Sequence, residues 1–108
     1  MNCSPDEAFD LFLTPWCASG VELLLSVNGG IASDPCKVVE ISPGRERQVS
    51  IEFTRLGRQR IIDLSRAKLS YEDSRAGLFP ELMAKKWTCF LLAEFPGNEG
   101  SLLFALPI

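Results

Sequence analysis

The chain has 108 residues, 46% of them hydrophobic, no histidine, and a formal net charge of −3 with a pI near 4.9. This length is ordinary for one domain, which buries roughly two thirds of its unfolded surface and needs no metal or disulfide to fold. The acidic balance argues against a general nucleic-acid coat, and without histidine neither a Ser-His-Asp nor a Cys-His catalytic arrangement can be assembled within one chain.

The first element expected is a helix. Ser4-Pro5-Asp6-Glu7 offers an N-cap, a proline at the first helical position, acids in the first turn, and a glutamate spaced for a capping box. Ala8, Phe9, Leu11, Phe12 and Leu13 supply its apolar side, and Pro15 is expected to end it after about two turns. The same N-terminal residues lack the basic start and apolar run of an export signal. A cytoplasmic chain is expected, with Cys3, Cys17, Cys36 and Cys89 reduced. The four cysteines contain no Cys-x-x-Cys pair, so no metal site or cofactor is expected. Cys89 reads as a small core residue. No apolar run approaches the ~20 residues that span a bilayer, and no membrane partner is expected.

Val21–Val27 alternates as a strand, with Leu24 on its outer face pointing to cover on both sides. Asn28-Gly29-Gly30 is a turn signal, Ser33-Asp34-Pro35 prolongs the loop, and Cys36–Ile41 is a second strand. After a turn at Pro43-Gly44 comes the clearest alternation in the chain. Val49, Ile51 and Phe53 face one way and Ser50, Glu52 and Thr54 the other. Leu56-Gly57 punctuates, and Arg58–Leu64 returns as the second arm of a hairpin, with a strand-like run that can continue through Leu69, Ser70 and Tyr71. Pro80–Lys86 has the polarity of a short helical turn. Trp87–Phe95 is a long strand of high β-propensity, and beyond the turn at Pro96–Gly100 the run Ser101–Leu106 is its hairpin partner. That last strand has no polar residue after Ser101 and is expected either in the middle of the sheet or buried in an interface.

Turns at this spacing, with no long helix between them, describe a single mainly β domain. The expected architecture is one curled or barrel-like antiparallel sheet of about six strands. It carries a short N-terminal helix and a short helical turn before the penultimate strand.

Chemistry concentrates around the central hairpin. Between Arg45 and Arg75 stand eight basic and five acidic residues, a local excess of three on an acidic chain. Arginine's planar fork matches carboxylate and phosphate oxygens two at a time, so Arg55, Arg58, Arg60 and Arg66 are candidate anion ligands. Arg58 and Arg60, two apart on a strand, share a face. Asp63-Leu64-Ser65 resembles the Asp-x-Ser-x-x-Gly element of PilZ-type domains, small β-barrels that bind a cyclic dinucleotide. The glycine position of that element holds Lys68 here, and Arg45 and Arg47 lack the spacing of that family's arginine pair. The resemblance implies Asp63 and Ser65 as further nucleotide ligands; read from the residues alone, they end a strand and bond the local backbone. The acids do not cluster, so no paired-carboxylate mechanism is expected and catalysis by this chain is not.

The expectation for function is a non-catalytic binding or regulatory module. An apolar content of 46%, with a mean hydropathy of +0.11, suggests self-association as a homodimer. The alternative is a small anion or nucleotide sensor on the arginine face.

Overall fold

The computed structural model describes residues 2–28, 32–42, 46–72, 87–97 and 99–107. Eight strands form one antiparallel sheet: β1 (Asn2–Cys3), β2 (Leu23–Val27), β3 (Ala32–Ser42), β4 (Gln48–Phe53), β5 (Arg58–Asp63), β6 (Lys68–Glu72), β7 (Trp87–Glu94) and β8 (Ser101–Pro107). Their order is β1-β6-β7-β8-β2-β3-β4-β5. Two meanders, β2–β5 and β6–β8, are thus joined where β8 pairs with β2. β8 is central, the first of the two places expected for a strand so poor in polar residues.

The sheet cannot be flat. β5 and β6 stand six places apart in the order, a separation of about 29 Å at the usual ~4.8 Å strand spacing. The chain from Asp63 to Lys68 spans at most about 17 Å when fully extended. The sheet must therefore curl until β5 and β6 approach. It does not close: the order ends on β1 and β5, so the barrel-like reading is corrected to a curled, open sheet. β1, two residues long, takes the edge of β6 that β5 would need to complete the ladder.

The expected six strands become eight for two reasons. Two residues are too few to show a period, so β1 is invisible in sequence. The run from Arg58 to Tyr71 is two strands, broken at a corner where Leu64 is buried and the Ala67 N–H donates to the Leu64 carbonyl. Beyond it, β6 pairs with β7 and β1.

The central hairpin forms as the alternation requires. Val49, Ile51 and Phe53 pair with Ile62, Arg60 and Arg58, and Gly57 takes φ +65° in the four-residue turn. β3 begins earlier than expected. Ser33, Asp34 and Pro35, read as loop, pair with Ser26, Leu25 and Leu24. Proline is tolerated there because β4 ends opposite Cys36, leaving Pro35 on a stretch paired on one side only. The Pro35 carbonyl accepts the Thr54 N–H at 3.2 Å.

The N-terminal helix runs past its expected end. α1 (Pro5–Ala8) has the full capping box: the Ser4 hydroxyl accepts the Glu7 N–H, and the Glu7 carboxylate accepts the Ser4 N–H. A π-helical turn, Phe9–Leu13, follows, and then α2 (Thr14–Ser19), closed by Gly20 at φ 66°. Pro15 lies in the first turn of α2, where its missing N–H is no loss. The wider turn before it, with the Thr14 N–H donating to the Phe9 carbonyl, resets the register so that the helix survives the proline.

Ala8, Phe9, Leu13 and Trp16 bury this helical segment against the inner sheet face, among Leu23, Leu25, Val38, Val49, Ile51, Leu91 and Phe104. A smaller cluster, Leu24, Phe90, Leu103 and Ala105, is buried on the outer face of β2, β7 and β8. Leu24 is therefore covered on its outer side, as expected. Cys36 is the buried cysteine; Cys89, expected in the core, is half-buried at a bulge with φ 51°, where β7 leaves register with β8. Among the described residues no helix is long and apolar enough to cross a membrane. The helical turn expected at Pro80–Lys86, the turn at Pro43-Gly44 and the glycines of the Asn28-Gly29-Gly30 turn lie outside the described residues.

Candidate functional site

β5 is the last strand of the sheet, and its register with β4 fixes what each of its residues faces. Opposed residues of an antiparallel pair share a side. Arg58, Arg60 and Ile62, opposite Phe53, Ile51 and Val49, therefore lie on the core side of the sheet, and Gln59, Ile61 and Asp63 lie on the other. Ile62 is buried and the rest of the strand is exposed. Arginines on the core side of an edge strand are unusual, because the same side of β4 carries fully buried Val49 and Ile51. They are accommodated because the sheet ends there.

Beside this strand lies a cleft of about 300 Å³. Its apolar floor comes from Leu25 and Val27 of β2, Phe53 of β4 and Leu102 of β8. On one side stand Arg60, Ile61, Ile62 and Asp63; on the other, Phe95 and Glu99 of the β7–β8 turn. The cleft is a product of the curl, which carries β5 round to that turn. Glu99 is also ion-paired with Arg66 of the β5–β6 corner, Nη1 to Oε1 3.5 Å. Both side chains are exposed, so the pair adds at most about 1 kcal/mol; it matters as a tie between the corner and the turn.

The floor is held at the β2–β8 junction. Asn28 donates its N–H to the Ser101 carbonyl, and its side-chain oxygen accepts the Ser101 N–H, both at 2.9 Å. Gly100, at φ +96°, is the residue that allows this approach, since a Cβ there would run into the Asn28 side chain. Gly100→Ala is expected to cost about 1–3 kcal/mol from backbone strain and the clash. Urea denaturation should show a lower midpoint with an unchanged slope.

The six candidate residues separate in the structure. Arg60 and Asp63 line the cleft. Arg66 borders it through Glu99. Ser65 donates its N–H to the Asp63 carboxylate at 2.9 Å, and its side chain and then its N–H hold the Asp63 carboxyl below its ordinary range. Asp63 and Ser65 thus form the local turn that the residues alone suggest. Arg55 lies in the β4–β5 turn and Arg58 at the start of β5; both are exposed and neither lines the cleft. No family model, curated protein or solved structure matches this chain. The likeness to PilZ-type domains therefore rests on Asp63 and Ser65 alone.

Phe95, Glu99, Leu25 and Leu102 were not foreseen as site residues. They come from turns and strands far apart in the chain, and each reads locally as core or turn. Among the described residues no carboxylate pairs with Arg60, although Asp63 and Glu99 share the cleft with it. An unpaired guanidinium beside an apolar floor can take the anionic end of a ligand whose body lies on Leu25, Val27, Phe53 and Leu102.

Proposed function

We propose that this chain is a non-catalytic binding module whose ligand occupies the cleft between β5 and the β7–β8 turn. The observation that carries this reading is an apolar floor beside Arg60, which pairs with no carboxylate among the described residues, in a cavity large enough for a small ligand. The ligand class that fits has an apolar body and an anionic group. This narrows the broader anion-sensor reading, because of the four arginines in the candidate set only Arg60 reaches the cavity.

Self-association has less support. Its premise was an apolar excess, and the cluster of Leu24, Phe90, Leu103 and Ala105 takes up part of that excess on the outer sheet face. Among the described residues the exposed large apolar ones, Leu11, Val39, Leu56 and Ile61, lie on four different elements.

Linear carboxylates of increasing chain length test the reading. Octanoate is expected to raise the melting temperature saturably, and more than butanoate does. Arg60→Ala should weaken octanoate about tenfold, the scale of a lost charge-assisted hydrogen bond. Arg58→Ala should leave it unchanged. An equal response in wild type and Arg60→Ala would remove the cleft from consideration.

A further inference from the structure

Successive residues of a β-strand point to opposite faces of the sheet. A ligand lying on one face of β5 would meet every second residue. The cleft is lined by four residues in a row, Arg60, Ile61, Ile62 and Asp63. Only the edge of a strand presents both sets of side chains to one cavity, and the edge is where the backbone N–H and C=O groups point. β5 is paired on one side alone among the described residues. Ile61, 67% exposed, is the most exposed large apolar residue among the described residues.

We propose that the cleft takes an extended peptide of a partner protein, which adds to β5 as a further antiparallel strand. This rests on the cleft reading above and names its ligand class. Backbone hydrogen bonds to the β5 edge supply affinity, and the side chains of β5 set the sequence. Every pairing in the sheet is antiparallel. In that direction the peptide reads, from its N-terminus, basic, apolar, apolar, acidic. The basic residue falls opposite Asp63, the apolar pair opposite Ile62 and Ile61, and the acidic residue opposite Arg60. The apolar side chain opposite Ile62 lies on the core side, over the floor of Val27, Phe53 and Leu102.

A second copy of this chain fits the edge less well, for a reason of parity. Two-fold antiparallel pairing of β5 with itself places residues of the same sheet face opposite one another. Arg60 and Asp63 lie on different faces, so no such register opposes them. The register centred on Arg60 sets two like charges together.

The test uses the full chain and a capped tetrapeptide, lysine-valine-valine-glutamate, in titration calorimetry and amide hydrogen exchange. The peptide is expected to bind saturably and to slow exchange within Arg58–Asp63. Methylating the backbone nitrogens of its two valines should weaken binding at least tenfold, and so should reversing its sequence. Arg60→Ala should reduce the preference for the forward sequence, leaving only the part that Asp63 supplies. Equal affinity of the methylated peptide, or no protection of β5 amides on binding, overturns strand addition. A chain that is dimeric without peptide, with its β5 amides already protected, overturns it in favour of self-pairing. If octanoate binds in an Arg60-dependent way and the tetrapeptide does not bind, the peptide inference fails while the cleft reading stands. If neither binds, both fail.

Discussion

Phe104→Ala is expected to destabilise the fold by about 3–5 kcal/mol, a large share of the ~5–15 kcal/mol that holds a domain of this size together. Phe104 sits on β8, the strand that joins the two meanders. It pairs with Leu25 of β2 on one side and Leu91 of β7 on the other, and all three side chains are buried. Its ring lies 6.4 Å from that of Trp16, so it is also a point where the helix meets the sheet. Truncation removes a side chain from a junction of three strands and a helix, where backbone hydrogen bonds on both sides of β8 limit collapse into the void. The cost should therefore lie toward the upper end of the range. Urea unfolding is the measurement: the midpoint should fall by more than about 1 M at the slopes usual for small domains. Ile61→Ala, at an exposed edge position, should move the midpoint little. A Phe104→Ala protein within about 1 kcal/mol of wild type would show that the two meanders are not held together at this point.

The fold was legible wherever one physical signal dominated. The β4–β5 hairpin was readable because Val49, Ile51 and Phe53 alternate without a break and Gly57 supplies the positive φ. That β8 would be buried on both faces was readable because a strand without polar residues has no face to give to water, and the structure places it in the middle of the sheet. The helix start was written in Ser4 and Glu7. The failures share a cause, which is that long-range pairing decided the outcome. Ser33-Asp34-Pro35 has the composition of a loop and becomes strand because β2 lies alongside it. Pro15 ends helices locally, and here a π-helical turn absorbs it. The β5–β6 corner carries no glycine or proline to mark it, yet it decides the curl.

The site divides in the same way. Arg60 and Asp63 could be picked from the sequence because charge on a strand is conspicuous. Arg55 and Arg58, chosen for the same reason, lie outside the cleft because alternation says which side of the sheet a residue faces and not where the cavity is. Phe95 and Glu99 join Arg60 only through the curl, which follows from five strands intervening between β5 and β6. That topology is not encoded in any local pattern.

Stability should fall in alkali chiefly through one thiol, Cys36. The residue is fully buried on β3, between Leu23 and Phe53 of the neighbouring strands. Burial, and then the nearby carboxylates of Glu22 and Asp34, push its pKa from an ordinary 9.0 up to about 12. The unfolded chain releases this proton near pH 9, while the folded chain keeps it. Between these two values the folded state binds more protons, so stability declines as pH rises. The contribution is fully present below about pH 9 and is lost as pH approaches about 12. The slope is about 1.4 kcal/mol per pH unit, so the loss by pH 10.5 is roughly 2 kcal/mol. The comparison that isolates Cys36 is with Cys36→Ala. That variant should be less stable than wild type at pH 7 because it loses buried volume, and the gap should narrow as the pH is raised. Parallel curves for the two proteins from pH 8 to 11 would mean that the thiol ionises as freely in the fold as outside it. Iodoacetamide gives an independent reading. At pH 9 the half-buried Cys17 and Cys89 should alkylate well before Cys36, which should react only as fast as the domain opens.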